Sequence, residues 1–293
     1  FAQLEWNSKN LTAYLSGTAS NTSVARIEKF NFVEGVDNNR SATLNLLGYN
    51  SKLGLNYNLG KHNLFFNAGY YERVPFFDFL YVDYRRRNET TRDIETEKII
   101  SGEIGYGFQN KWLNVKVDGY FTQWKDRSFL SPIINNSDGS TTRALIPGIQ
   151  AQHIGAELEV AIKPHATVLI QGAFSIGDWR WQNDVTATIF NDQNLNPQTI
   201  NIYAKGLKVG DAAQTSLNGS IRWQPVKDWF LLVNANYYDQ LYAAFDVTSR
   251  NKETDRAQPW KLPAYSIFDL HTGYHFEVAK LHVQLNAHVF NLF

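Results

Sequence analysis

The chain has 293 residues and a formal net charge of zero, with 28 basic and 28 acidic side chains. Without an excess of Lys and Arg there is no electrostatic case for nucleic acid. One of the longest apolar runs is 229–233 (Trp, Phe, Leu, Leu, Val), far short of the roughly 20 residues that a spanning helix needs, so a helical membrane protein is excluded. No Cys is present, which removes disulfides, thiol nucleophiles and thiolate metal sites.

Taken in chain order, short turns and long polar stretches alternate. A short turn at 7–10 precedes a long polar stretch at 29–40, and a turn at 60–62 precedes a loop at 73–95. Further turns at 109–111, 163–165, 224–228 and 279–280 alternate with loops at 131–147, 178–210 and 239–263. This punctuation predicts twelve strands, with every short turn at one end and every long loop at the other. Between the breaks the residues alternate with period two. Leu113, Val115, Val117, Gly119 and Phe121 share a face, and Asn114, Lys116, Asp118, Tyr120 and Thr122 share the opposite one. The pattern recurs with Ala156, Leu158, Val160 and Ile162 against Glu157 and Glu159, and with Leu281, Val283, Leu285, Ala287 and Val289 against His282, Gln284, Asn286 and His288. Each strand therefore has one apolar and one polar side.

Strand length separates a membrane barrel from a soluble sandwich or propeller. The segments 96–109, 112–130 and 212–224 each exceed ten residues, whereas soluble strands average about 5–6 residues and a tilted membrane strand needs about 9–11. Pro164, Pro225 and Pro263 fall at turns or strand starts, where a missing N–H does little harm. Trp112, Trp223, Trp229, Tyr57 and Phe108 flank short turns, as an interfacial aromatic girdle requires. The reading is all-β: a transmembrane antiparallel up-and-down β-barrel. There is no Met at any position, and Phe1 reads as mid-strand. The expectation is a fragment, with any signal peptide outside it.

Five segments carry a resemblance. In Gly69 to Tyr81, Tyr71, Arg73 and Pro75 match a Tyr-Arg-x-Pro core followed by aromatics, with Glu72 inserted. Glu97 to Phe108 is similar to a Pro-Glu-Lys strand, with Thr96 in place of the proline. Tyr120 to Arg127, the Gly-x-Glu-x-Glu of Gly155 to Glu159, and Leu262 to Leu270 leading to Val289-Phe-Asn-Leu-Phe293 complete the set. In order and spacing these segments resemble the C-terminal barrel of Bacteroidetes-type TonB-dependent outer-membrane receptors. The resemblance implies that residues 1–293 form the C-terminal portion of a barrel of about 22 strands. The N-terminal plug domain, the TonB box and the first barrel strands then lie outside the chain. It implies a multi-pass protein of the bacterial outer membrane that actively imports a nutrient (siderophore, glycan, peptide or vitamin). The implied partners are the TonB–ExbB–ExbD complex, outer-membrane lipids and lipopolysaccharide, with a surface lipoprotein lid as in glycan importers left open. A passive porin, or a structural barrel in a larger outer-membrane assembly, are the alternatives.

No enzyme motif is present and no cofactor is expected: there is no phosphate loop, no Gly-x-Ser-x-Gly and no His-Glu-x-x-His. His271, His275, His282 and His288 lie on polar faces, where a wet wall is preferred to a metal site because no ligand spacing completes the set. Glu103, Asp118, Glu157, Glu159, Arg222 and Asp269 fall on the same faces and belong in a lumen. The spacing of Glu157 and Glu159 reads as successive lumenal positions rather than a glycosidase pair. The ligand-binding candidates are in loops: Arg85, Arg86 and Arg87 for an anion, and Trp179 and Trp181 for stacking on a sugar or aromatic ligand. The alternatives are a solvated charge run for the arginines and caps on strand ends for the tryptophans.

Overall fold

The computed structural model describes residues 1–30, 39–82, 84, 87–91, 94–131, 133–135, 139, 141–190, 197–210 and 212–292. The strands are β1 (Ala2–Asn7), β2 (Leu11–Val24), β3 (Leu44–Leu59), β4 (His62–Arg73), β5 (Glu97–Gln109) and β6 (Leu113–Leu130), followed by the two-residue pair β7 (Ile134–Asn135) and β8 (Thr141–Thr142). Then come β9 (Ala144–His165), β10 (Val168–Trp181), β11 (Val185–Phe190), β12 (Pro197–Ile202), β13 (Ala213–Val226), β14 (Trp229–Leu241), β15 (Tyr265–Val278) and β16 (Leu281–Val289). Twelve of them form one antiparallel meander in the order β1-β2-β3-β4-β5-β6-β9-β10-β13-β14-β15-β16, the number expected from the turns. Among the described residues the other sheet is the two-stranded β7–β8 pair, too small to form the second layer of a sandwich.

All six short turns join neighbouring strands of the meander, and all five long loops lie at its other end. One reversal is displaced from its expected place. β9 continues through His165, and the chain turns at Ala166 and Thr167, with the Thr167 N–H donating to His165 Nδ1 at 3.3 Å. Pro164 and Pro225 lie inside strand ends rather than in turns, and both coincide with register shifts. A bulge leaves one residue out of the ladder, so the missing proline N–H has no bond to lose.

The alternation predicted from sequence is realised as two faces. Across neighbouring strands Tyr57, Leu64, Tyr106, Val117, Leu158, Phe174, Leu217 and Tyr237 stand in one register row, and all but Tyr106 are exposed. A band of this kind, uncovered by any other layer, requires hydrocarbon rather than water. On the opposite face Asn63, Gly107, Lys116, Glu159, Ala173, Asn218 and Asn236 form a row of their own. There a cleft of ≈720 Å³ is lined by Asn56, Asn63, Asn67, Glu103, Lys116 and Glu159, among others. Trp223 and Trp229 meet edge to face at 6.0 Å beside the β13–β14 turn, where the girdle was expected.

The loop end departs from a bare set of loops. β11 and β12 pair with each other inside the stretch 178–210, and β11 also adds to the start of β9 through Thr188 and Leu145. With the outer parts of β9 and β10 they enclose a dry core that includes Ile146, Ile149, Trp181, Ile202, Leu207 and Phe245.

Candidate ligand-binding vestibule

Just below this dry core, the polar face carries a tier of rings. Register places Thr122, His153 and Trp179 side by side, and Trp124, Ala151 and Trp181 one step nearer the loops. His153 stacks on Trp179 with centroids 5.0 Å apart, and the Trp179 indole N–H donates to the Tyr120 hydroxyl at 3.0 Å. Tyr120 reaches that position by lying across Gly155. A Cβ there would collide with the Tyr120 ring and sit 2.6 Å from the Ile176 carbonyl oxygen.

Arg127 joins the tier because of a bulge. Between Trp124 and Arg127, β6 advances three residues while β9 advances two, from Ala151 to Ile149. Asp126 adopts φ 55° in this step. In a regular strand the third residue after Trp124 would point to the apolar face, since side chains alternate strictly, so the bulge is what puts Arg127 on the polar side. A compensating shift follows on β9 around Pro147 and Gly148, where Gly148 takes φ 68°.

Glu97 then links the tier to β4. Its carboxylate is nearly fully buried, with the side chain 4% exposed. Arg73 Nε donates to Oε2 at 2.6 Å and Arg127 Nε to Oε1 at 2.9 Å. The guanidinium carbons of Arg127 and Arg73 lie 5.0 and 5.7 Å from the Trp124 ring centroid, and Arg127 is also 5.5 Å from Trp181. The unit holds two guanidinium charges and one carboxylate in aromatic surroundings, where charge interactions are stronger than in open water.

The loops above are joined to each other. Arg256 donates to both oxygens of Asp184, at 2.7 and 2.9 Å, and the Lys205 N–H donates to the same carboxylate at 2.9 Å. The Arg256 hydrogen bond is the main reason that the Asp184 carboxyl is held below its ordinary pKa. Gln258 accepts from the Lys208 N–H at 2.8 Å and donates to the Gly206 carbonyl at 3.1 Å.

The two candidate tryptophans thus lie at the vestibule, in different roles. Trp181 is built into the dry core, edge to face with Phe245 at 5.9 Å, which fits the strand-cap reading. Trp179 faces the tier. Arg85 and Arg86 lie outside the described residues, and Arg87 is paired with Glu89 at 3.5 Å in the β4–β5 loop. Trp124, Tyr120, His153, Arg73, Arg127 and Glu97 were not singled out as site residues by sequence reasoning. The parity of β6 puts Tyr120 and Trp124 on the polar face near the loop end, and that signal was available. Among the other polar-face residues, Asp118 pairs with Lys116 at 3.1 Å and Glu157 accepts from Ser175 at 3.3 Å. His271 contacts His288 at 2.8 Å and His282 pairs with Glu277 at 3.0 Å. Among the described residues, no group of three or more His, Asp or Glu is arranged to hold a metal ion.

The sequence matches the family described as TonB dependent receptor-like, beta-barrel over residues 1–292. The chain belongs to that family. As a TonB-dependent receptor barrel it is an outer-membrane protein, and members of its family are transporters, not enzymes. Among solved structures it is similar to the copper transporter OprC, with TM-score 0.69, 14% identity, and coverage of 99% of this chain and 41% of that one. The FrpB iron transporter from Neisseria meningitidis gives 0.64, 11%, 99% and 40%. The ferric-catecholate import receptor Fiu from E. coli K12 gives 0.57, 16%, 97% and 38%. At these identities the likeness is one of fold, and the chain spans less than half the length of each of these receptors. No curated protein matches the sequence.

Proposed function

We propose that this receptor barrel belongs to an active importer that takes a nutrient from outside the cell, holds it in the vestibule beneath the loops, and passes it inward with energy from TonB–ExbB–ExbD. The observation that carries the reading is the tier of Tyr120, Trp124, His153 and Trp179 on the polar face of a wall matched to the receptor family over residues 1–292. In this reading the twelve meander strands are the C-terminal part of a barrel of about 22 strands, and a plug domain encoded upstream fills the lumen. Siderophores, glycans, peptides and vitamins are the candidate cargo classes. OprC, FrpB and Fiu, by their descriptions, carry copper, iron and ferric catecholates, which favours small chelated or ionic cargo.

A passive porin would have the same wall without a plug. Liposomes containing the full-length protein separate the two. The import reading predicts no swelling in arabinose and nutrient uptake that stops when tonB is deleted. Rapid swelling, with uptake indifferent to tonB, would establish a porin instead.

A further inference from the structure

Among the described residues, the Arg73–Glu97–Arg127 unit has a charge imbalance that no further ion pair offsets. Glu97 accepts from both arginines, yet it supplies one negative charge for two guanidinium groups. Among the described residues neither arginine has another hydrogen-bond or ion-pair partner, and none of those residues takes the terminal nitrogens of Arg127. Within this chain Arg73 is 45% and Arg127 26% exposed, while Glu97 is closed off beneath them. Aromatic rings flank the pair: Phe76 lies 4.9 Å from Arg73, and Trp124 and Trp181 lie close to Arg127. Rings on these sides exclude water and hold the planar forks in place, and a held guanidinium fork matches an oxyanion edge.

We infer that Arg73 and Arg127 form a receptor for an oxyanion group, carboxylate or phosphate, carried by the imported ligand. This rests on the import reading above and narrows its cargo to molecules bearing such a group. Glu97 is a positioning residue in this account. It draws two arginines from β4 and β6 toward one point across β5, and it leaves a net positive charge for the ligand to neutralise. A purely structural ion-pair unit would have no use for the uncompensated charge.

Isothermal titration calorimetry on the full-length receptor in detergent, at constant ionic strength, tests the assignment. Sodium benzoate and inorganic phosphate are the anionic probes, and benzyl alcohol is the neutral one. The expected result is that one or both anions bind and benzyl alcohol does not. Binding of benzoate alone identifies a carboxylate site, and binding of phosphate alone a phosphate site. Arg127→Gln should weaken the bound anion roughly tenfold, the scale of losing a charge-assisted hydrogen bond. Glu97→Gln should strengthen it severalfold by removing the competing carboxylate. Heat-modifiable migration on gels reports whether each variant is folded. Benzyl alcohol binding as well as the anions, no binding of either anion, or undiminished binding by folded Arg127→Gln would each overturn the assignment. The wild-type comparison decides the question even if a variant fails to fold. Uptake that ignores tonB would remove the import reading without altering the calorimetry, so the two failures are distinguishable.

Discussion

Tyr120 lies flat across Gly155 because nothing larger than hydrogen fits between its ring and the Ile176 carbonyl. That placement lets its hydroxyl accept from Trp179, which in turn carries His153 in a stack. Gly155→Ala should push Tyr120 out of the tier. The expected cost is about 1–3 kcal/mol, the usual scale for overpacking a tight site. It should appear as a lower midpoint of thermal unfolding in detergent, with a change in tryptophan fluorescence as Trp179 loses its partner. An unchanged midpoint and spectrum would mean that Tyr120 is not held by this contact.

At the scale of elements, one bulge decides which residues of β6 line the vestibule. The bulge at Asp126 places Arg127 on the polar face beside Trp124. Deleting Asp126 should remove the bulge and make Arg127 the second residue after Trp124, so that it keeps its place opposite Ile149 on the polar face. An Arg127→Cys variant of the full-length receptor, in a background without other thiols, should react with a membrane-impermeant thiol reagent. The same variant lacking Asp126 should stay reactive, and protection would mean that the strand pairs in another register. The joined loops give a second prediction. Arg256 holds the Asp184 carboxyl below its ordinary pKa, so the latch is fully present above the ordinary aspartate value of about 3.9. It is lost as pH falls through the lowered value of the folded state. Amide exchange in the described part of 182–212 should therefore be constant at neutral pH, after correction for intrinsic rates, and rise only in strong acid. The pair is about one-third exposed, so the effect is local rather than global.

These elements also show what was legible beforehand. The twelve meander strands and their six turns could be read because period-two alternation is strict wherever one face meets lipid and the other water. β11 and β12 could not, because they are short and pack into a local core at the loop end, where neither face meets lipid. Trp179 and Trp181 drew attention as bulky rings at a strand end. Arg127 did not, because the bulge breaks the parity on which the reading rested. Arg73 and Glu97 did not because they are 24 residues apart in sequence and meet only through strand pairing.

For the molecule as a whole, the wall works only if its apolar face meets lipid and its polar face meets water. Leu158→Arg, in the middle of the exposed apolar row, should destabilise the folded barrel by about 2–4 kcal/mol in bilayers. Ser175→Arg, on the polar face of the next strand, should cost far less. Refolding titrations in urea with phospholipid vesicles would read both. The most direct test is a spin-label scan along β9 of the full-length receptor in liposomes, comparing collisions with oxygen, which concentrates in lipid, against a water-soluble nickel chelate. Positions 154, 156, 158, 160 and 162 should favour oxygen, and 157, 159 and 161 should favour the chelate. Equal accessibility at odd and even positions, or the opposite phase, would contradict the account.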